Sequence, residues 1–287
     1  MKYVYTRRRC ILLVLPLLII YTMYTTWPMI QSFYYSFTSY RGLGAAKWNN
    51  FANYKRLVTD KYVWLSLKNT LVAAIAMMVI LLPLSFLLAY NFRMRTLRNK
   101  IYMSAVFASY IVPGTLTALL WYFLLNPSFG LFNALLRAVG FPEIMWIGGL
   151  TMSPVSYAMA ASWANMGFYV CLWNVALTSL SVEVLEASIV DGCNKWQQIG
   201  RVILPMLREN IGSMVILILT SALKIYELVY VLTGGGPNHA SETIISYMYT
   251  TTFTAQTYGY GMCIGMAEFV LAVIITLVSL SFSRKEV

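Results

Sequence analysis

Residues 69–92 read NTLVAAIAMMVILLPLSFLLAYNF, an uncharged run that lies between Lys68 and Arg93. A helix needs about 20 mostly apolar residues to cross the hydrocarbon layer of a bilayer. The run is long enough for that, so we expect a transmembrane helix at roughly 70–91.

Other uncharged or weakly charged stretches of similar length occur on both sides of this run. The one near the C-terminal third is interrupted by Lys224 and Glu227, and the last one carries Glu268. These stretches predict an all-α, polytopic membrane protein with about six transmembrane helices. Besides 70–91, the predicted spans are roughly 11–37, 102–126, 153–180, 209–232 and 260–282.

The composition excludes several classes of protein. Hydrophobic residues make up 59% of the 287 positions and charged residues 11%, whereas soluble domains carry about 25% charged residues. The net charge of +11 does not indicate a nucleic-acid binder, because the cations lie between apolar runs rather than along one face. Four cysteines without a CxxC pair, and a single histidine, predict neither a disulfide framework nor a metal site.

The distribution of Lys and Arg predicts the orientation. Cytoplasmic connections carry an excess of these residues. They are concentrated at the N-terminus, after the second and fourth spans, and at the C-terminus, although the first outer connection is also basic. We therefore expect both termini in the cytoplasm. The cytoplasmic cations are Lys2, Arg7, Arg8, Arg9, Arg93, Arg95, Arg98, Lys100, Lys195, Arg201, Arg208, Arg284 and Lys285.

Two parts are expected along the chain. Residues 1–68 would form the N-terminal span and an outer loop, and residues 69–287 the core membrane domain with a cytoplasmic loop at about 181–207. In the outer loop, Asn53-Tyr54-x-x-Leu57 and the segment from Trp64 to Leu71 have helical spacing with aromatic residues. Such patterns are typical of short helices at the membrane interface.

The cytoplasmic loop predicts two short helices with a sharp bend. Ser181 is a favourable N-cap, Gly192 supplies a left-handed stop, and Leu204-Pro205 would turn the chain back toward the bilayer. Apolar positions lie on one face of the first helix and Glu183 and Glu186 on the other. By periodicity alone, the loop could equally be a connector that rests on lipid headgroups. Acidic residues are unfavourable next to anionic lipid, however, so a basic protein partner is favoured. The apolar positions are Val182, Leu185, Ile189 and Val190.

The residues of this loop carry a family resemblance. The pattern Glu186-Ala187-Ser188-x-x-Asp191-Gly192-Cys193, followed by Arg201-Val202-x-Leu204-Pro205, resembles the EAA loop of permeases of binding-protein-dependent ABC importers. The family usually has Ala at the positions of Ser188 and Cys193, and Ile at that of Val202. Asn53-Tyr54-x-x-Leu57 and the stretch LTGGGP at 232–237 are similar to the carbohydrate-uptake, maltose-type branch.

The resemblance implies a type I ABC importer transmembrane fold. The loop would be a coupling helix that docks on a cytoplasmic ATPase. The implied partners are a second homologous permease, two ATPase subunits, an extracytoplasmic solute-binding protein and a carbohydrate, at a bacterial or archaeal cytoplasmic membrane. The implied ATPase-contacting residues are Glu186, Ala187, Ser188, Asp191, Gly192 and Pro205.

This chain lacks the Gly-x-x-x-x-Gly-Lys-Ser/Thr phosphate loop. We therefore expect no enzymatic activity and no cofactor on this chain. ATP and Mg would be bound by the partner ATPase.

Polar and aromatic residues inside the spans predict the translocation path, because such groups are costly in lipid. Sugars offer C–H faces to aromatic rings and hydroxyl groups to Asn and Tyr. The resemblance to maltose-type permeases places sugar contacts at Tyr110, Gly114, Ala164, Asn165, Phe168, Ile218, Ala222 and Ile225. Of these we select Tyr110, Gly114, Asn165, Phe168 and Ala222. Four further residues could either line the path or have a structural role: Trp163, Lys224, Tyr226 and Glu227. Lys224 and Glu227 could also pair with each other on one helix face.

Other functions remain open. An ABC permease for a glycerol phosphodiester, a polyamine or another solute would have the same coupling loop. A self-contained secondary transporter or membrane enzyme is a different class, disfavoured by the absence of a clear half-repeat and of a catalytic His or Cys cluster.

Overall fold

The computed structural model describes residues 7–92, 96–149 and 151–284, and within them the side chains from Val14 to Val278. The cationic residues Lys2, Arg93, Arg95 and Lys285, used for the predicted orientation, lie outside the described residues. The described chain is helical apart from loops and one isolated bridge between Thr38 and Trp48.

The α-helices follow one another closely along the sequence, and three of them continue into five-residue π-helical turns at Thr22–Thr26, Ile199–Ile203 and Thr250–Thr254. In chain order the helices are α1 Arg7–Tyr21, α2 Trp27–Ser36, α3 Ala52–Thr59, α4 Lys61–Phe92, α5 Leu97–Ile111, α6 Gly114–Leu124, α7 Leu131–Ala138, α8 Ser153–Thr178, α9 Val182–Val190, α10 Lys195–Gln198, α11 Leu204–Met206, α12 Arg208–Leu223, α13 Glu227–Leu232, α14 Ile244–Tyr249 and α15 Tyr258–Arg284.

Each predicted span falls on helical structure, which confirms the all-α fold class. By length and apolar composition, two of the described helices, α4 and α15, are able to cross a membrane on their own. The number rises to five if each strongly bent helix pair counts as one span. The exact number of spans and the location of the termini stay predictions.

The bent pairs follow from local sequence. Helices α5 and α6 meet at an angle of 100°, because Pro113 offers no backbone N–H and its ring clashes with a continuing helix. Helix α8 turns by 77° into α9, and the helical segment Lys195–Met206 turns by 74° into α12. The last bend lies at Leu207, so the prediction that Leu204-Pro205 itself makes this turn is wrong. Pro205 lies in the last turn of the continuous helical segment Lys195–Met206, two residues before the bend.

Contacts divide the described chain into two compact units. One unit runs up to Asp60 and includes Met248–Phe269, and the other contains Lys61–Tyr247. In the first unit, Asn53 donates from Nδ2 to the carbonyl oxygens of Ser36 (2.8 Å) and Thr38 (2.9 Å). This tie fixes α3 against the end of α2 and gives the Asn53-Tyr54 motif a structural role.

In the second unit, α4 packs along α8, and α5 and α12 pack on these two helices. Small residues permit the close approach. Gly167 of α8 lies against the backbone of Phe107 in α5, where a Cβ would come within 2.5 Å of the Phe107 Cα. Small residues play this role in helix packing within membranes, where burial alone provides little driving force.

The outer loop differs from the prediction in one element. Helix α3, Ala52–Thr59, confirms the helical spacing around Asn53 and Leu57. The segment from Trp64 to Leu71 is instead the first part of α4, a single helix of 32 residues. The two segments have the same local periodicity, and a continuous run of helix-compatible residues from Lys61 onward removes the reason for a break.

Candidate functional site

The start of α9 is fixed by local hydrogen bonds. Ser181 accepts the backbone N–H of Val184 on its Oγ (3.3 Å), as predicted for an N-cap. Its hydroxyl donates to Glu183 Oε2 (2.5 Å). That hydrogen bond, followed by one from the backbone of Glu183, lowers the pKa of the Glu183 carboxyl. A carboxylate in the first turn also interacts favourably with the partial positive charge at the helix N-terminus.

The end of α9 depends on Gly192. Its φ of +83° is in the left-handed region. The N–H of Gly192 donates to the Ile189 carbonyl and that of Cys193 to the Ser188 carbonyl, both at 3.0 Å. This pair of bonds is the Schellman motif, which satisfies carbonyl groups at the end of a helix. The bend predicted at Gly192 is confirmed.

The second helical segment begins with a capping box. Asn194 Oδ1 accepts the N–H of Gln197, and Gln197 Oε1 accepts the N–H of Asn194, both at 2.9 Å. Helix α10, the π-helical turn and α11 continue without interruption to Met206. The second short helix predicted for this loop is therefore present, but the sequence analysis did not predict its capping box.

Gln198 joins the two helical segments. Its Nε2 donates to the Leu185 carbonyl (3.0 Å) and to Ser188 Oγ (2.8 Å). Both Ser188 and Gln198 are buried. Ser188 is therefore occupied inside the loop, and its role is to hold the two segments together. The sequence pattern did not identify Gln198, because its partners lie in the preceding helix.

The outward surface of the loop is both apolar and acidic. Val190 is 86% exposed and Trp196 74% exposed, and Val182 and Ile189 are also exposed. Four of the predicted ATPase-contacting residues, Glu186, Ala187, Asp191 and Gly192, are exposed on the same segment, as is Pro205. The loop thus presents apolar side chains, including the aromatic Trp196, beside acidic ones on its exposed surface.

A second feature is a cavity of about 390 Å³ inside the second unit. It lies where α6, α8 and the ends of α12 and α13 meet. Its lining residues are Met77, Gly114, Thr117, Ala161, Ala164, Asn165, Ser221, Lys224, Ile225, Tyr226, Glu227 and Leu228.

Two interrupted helices form most of this cavity. Gly114 begins α6 directly after the break at Pro113. On the other side, α12 ends at Leu223 and α13 begins at Glu227. Irregular backbone at membrane depth is tolerated where it lines a cavity. The cavity therefore forms at the two places where the helices are interrupted.

Glu227 approaches α6 closely because position 114 is glycine. A Cβ at Gly114 would overlap Glu227 Oε2 and would lie 3.3 Å from its Cδ. The described residues contain no ion pair between Lys224 and Glu227. The predicted pairing on one helix face fails because the helix is broken between the two residues, so that they do not share a continuous face.

The predicted path residues separate into two groups. Gly114 and Asn165 line the cavity, and Asn165 Nδ2 donates to the Ala161 carbonyl (2.8 Å). Tyr110 and Phe168 stack with their ring centroids 5.4 Å apart and their planes at 18°, but neither lines this cavity.

Ala222 and Trp163 do not line the cavity either. Ala222 is fully buried, and Trp163 is half-buried and packs against the core. Among the open alternatives, Lys224, Tyr226 and Glu227 do line it.

Thr117 and Ser221 are lining residues that sequence reasoning missed. Thr117 is fully buried, and its Oγ1 has no hydrogen-bond partner in the described part of the chain. Thr117 could have been identified from the sequence, because it lies three residues after Gly114 and the two therefore share one helix face.

The stretch LTGGGP forms an ordered loop on the second unit. Gly234 and Gly235 have φ values of +59° and +79°, and the Glu242 side chain packs against Gly235. Asn69 of α4 donates from Nδ2 to the carbonyl oxygens of Ala240 (2.8 Å) and Glu242 (3.0 Å). Asn69 therefore anchors the residues that follow the stretch, and Glu242 connects them to Gly235.

Known proteins with similar sequences are permeases. The chain is 27% identical over 276 residues to the trehalose/maltose transport system permease protein MalF of Thermococcus litoralis, covering 95% of this chain and 92% of the relative. It is 28% identical over 281 residues to the multiple sugar-binding transport system permease protein MsmF of Streptococcus mutans, covering 95% and 94%.

A solved structure has the same fold. It is a chain of a bacterial ABC transporter involved in the import of the acidic polysaccharide alginate, with a TM-score of 0.81, 22% sequence identity, and coverage of 96% of this chain and 94% of that one. The likeness confirms the predicted ABC importer transmembrane fold.

The family of binding-protein-dependent transport system inner membrane components matches residues 81–285. This range contains the loop that carried the resemblance and all of the cavity's lining residues except Met77. The protein belongs to the family of inner membrane components of binding-protein-dependent transport systems.

Proposed function

We propose that the chain is a permease subunit of an ATP-driven ABC importer and forms half of the translocation path for a carbohydrate. The second half would come from a homologous permease. The cargo would be delivered by an extracytoplasmic binding protein. Relatives named for trehalose/maltose and multiple-sugar transport support the cargo class.

The observation that carries the proposal is the cavity at the two helix breaks. Its lining combines hydrogen-bonding groups, Thr117, Asn165, Ser221 and Tyr226, with apolar side chains. A sugar requires that mixture, since it has hydroxyl edges and C–H faces. A volume of about 390 Å³ lies in the range of small-molecule sites. The stacked pair Tyr110 and Phe168 would extend the path beyond the cavity.

The coupling loop supplies the link to ATP. Because the chain has no phosphate loop, hydrolysis would take place on two partner ATPase subunits that bind ATP and Mg. Val190 and Trp196 would insert into a groove of the ATPase, with Glu186 and Asp191 facing basic residues. The bonds from Gln198 make the loop stiff enough to transmit movement.

The outer loops would meet the binding protein. The LTGGGP loop packs at Gly235 against Glu242, whose carbonyl oxygen accepts a hydrogen bond from Asn69 of α4. Trp64, near the start of the same helix, is exposed. Movement of α4 and of this loop would thus be coupled.

Reconstitution tests the proposal. The chain would be co-purified with its partner permease and ATPase, placed in proteoliposomes with the binding protein, and supplied with labelled maltotriose, glycerophosphocholine or spermidine. We expect ATP-dependent uptake of maltotriose alone. Uptake by the isolated chain without an ATPase would contradict the importer assignment, and uptake of only the phosphodiester or the polyamine would contradict the carbohydrate cargo.

A further inference from the structure

The cavity contains an unusual arrangement of charge. Among its described lining residues, Lys224 and Glu227 are the only charged ones. They are not paired with each other, and both side chains are exposed. The surroundings of each charged side chain therefore determine separately the electrostatic potential that a bound ligand would experience.

Glu227 lies at the N-terminal end of α6. Its carboxylate packs directly against Gly114, the first residue of that helix, in the place that a Cβ would fill. Pro113, the N-cap of α6, provides no side-chain hydrogen bond. The first N–H groups of a helix have no partner within it and carry a partial positive charge, which a nearby carboxylate neutralises.

Lys224 lies at the opposite kind of helix end. It is the C-cap residue of α12, with its own N–H bonded to the Ser221 carbonyl at 3.1 Å. A cation is favourable there because the C-terminal end of a helix carries a partial negative charge. Lys224 is also a basic side chain in the cavity wall.

We propose that Glu227 is a specificity-determining residue, whose carboxylate, packed against the first residue of α6, makes the cavity accept uncharged sugars and reject uronates. One acidic and one basic side chain line the cavity, so their formal charges cancel. Without Glu227, the Lys224 ammonium and the free N-terminal N–H groups of α6 both attract anions. The buried Thr117 hydroxyl, which has no partner among the described residues, then adds a donor beside them. This inference rests on the proposed carbohydrate transport.

The first measurement needs no sugar. In a chain with its four cysteines replaced by alanine, Ala164→Cys provides a thiol on the cavity wall. Its rates of modification by an anionic and a cationic methanethiosulfonate reagent report the local potential. We expect Glu227→Gln to raise the anionic-to-cationic rate ratio about fivefold to tenfold and Lys224→Gln to lower it by a similar factor.

Glu143→Gln is the matched control, because Glu143 is an exposed carboxylate paired with Arg137 outside the cavity. It should leave the ratio unchanged. A ratio that stays within about twofold in Glu227→Gln, in a complex that assembles normally, overturns the proposal.

The second measurement compares maltotriose and trigalacturonate in binding to the purified complex. We expect the native complex to bind maltotriose only and Glu227→Gln to gain measurable binding of trigalacturonate. A changed labelling ratio without such a gain overturns the role in selection. If no form binds maltotriose while the labelling ratio responds, the carbohydrate cargo is wrong and the electrostatic role of Glu227 is supported.

Discussion

The loop from Ser181 to Met206 and the cavity are built in different ways. In the loop, the bonds that set the helix ends join residues within five positions of each other, as at Ser181, Gly192 and Asn194. In the cavity, Gly114, Asn165 and Glu227 come from three distant helices. This difference shows that helix-capping residues specify the conformation of the loop. The shape of the cavity depends instead on where helices break and how distant helices pack.

The largest expected effect is at Gly192. Replacing it with Val places a β-branched side chain at φ +83°, which costs about 1–2 kcal/mol or more and removes the Schellman turn. Nothing lies within 4 Å of the added Cβ, so the effect is on the backbone. We expect the complex to assemble, transport to be lost, and ATP hydrolysis to continue without transport. Uptake and ATPase rates in proteoliposomes measure both.

Gly140→Val is the matched control for this change. Gly140 follows α7, has φ +78° and also has no neighbour within 4 Å of a Cβ. The Phe141 and Gly140 N–H groups bond Leu136 and Arg137, the same pattern of hydrogen bonds as at Gly192. The Gly140→Val substitution therefore imposes the same backbone strain outside the loop from Ser181 to Met206. If both variants lose transport equally, the coupling role of Gly192 is wrong.

The next effect in size concerns the path. Alanine at Tyr110, Asn165 and Phe168 together removes the stacked ring pair and one amide that lines the cavity. A lost aromatic contact costs about 0.5–1.5 kcal/mol and a lost hydrogen bond about 1 kcal/mol, so we expect maltotriose uptake to fall about tenfold to one hundredfold. Initial uptake rates over a range of sugar concentrations separate affinity from rate.

A triple variant with unchanged affinity and rate would place the path elsewhere. The stacked pair can be separated from the amide by testing Asn165→Ala alone. Since only Asn165 lines the cavity, it should carry the greater part of the change in affinity.

The smallest expected effect is at Gln198. Gln198→Met keeps the size of the side chain but removes the donor to Leu185 and Ser188. A buried hydrogen bond contributes about 1 kcal/mol, so we expect a fall of about fivefold in cargo transported per ATP. The ratio of uptake to hydrolysis is the readout. Gln197→Met, which breaks only the local capping box, should lower that ratio less, and equal losses would argue against Gln198 as the link.

The comparison also shows which expectations followed from sequence. The caps at Ser181 and Gly192 were predicted because residue type alone specifies a cap or a left-handed turn. The break at Pro113, seen in the structure, has an equally local cause, the missing N–H of proline. The tie by Gln198 and the burial of Ser188 were not predicted, because glutamine carries no positional signal and its partners are ten and thirteen residues away.

The sequence by itself determined that this protein is helical and apolar, where the two helical segments of the loop from Ser181 to Met206 begin and where the first of them ends, and which family its motifs resemble. These properties depend on hydropathy and on bonds between near neighbours. Only the tertiary structure decided that Glu227 lies on Gly114 rather than beside Lys224, that Thr117 lines a cavity, and that Ala222 does not. Those facts depend on packing between distant helices, which no local pattern encodes.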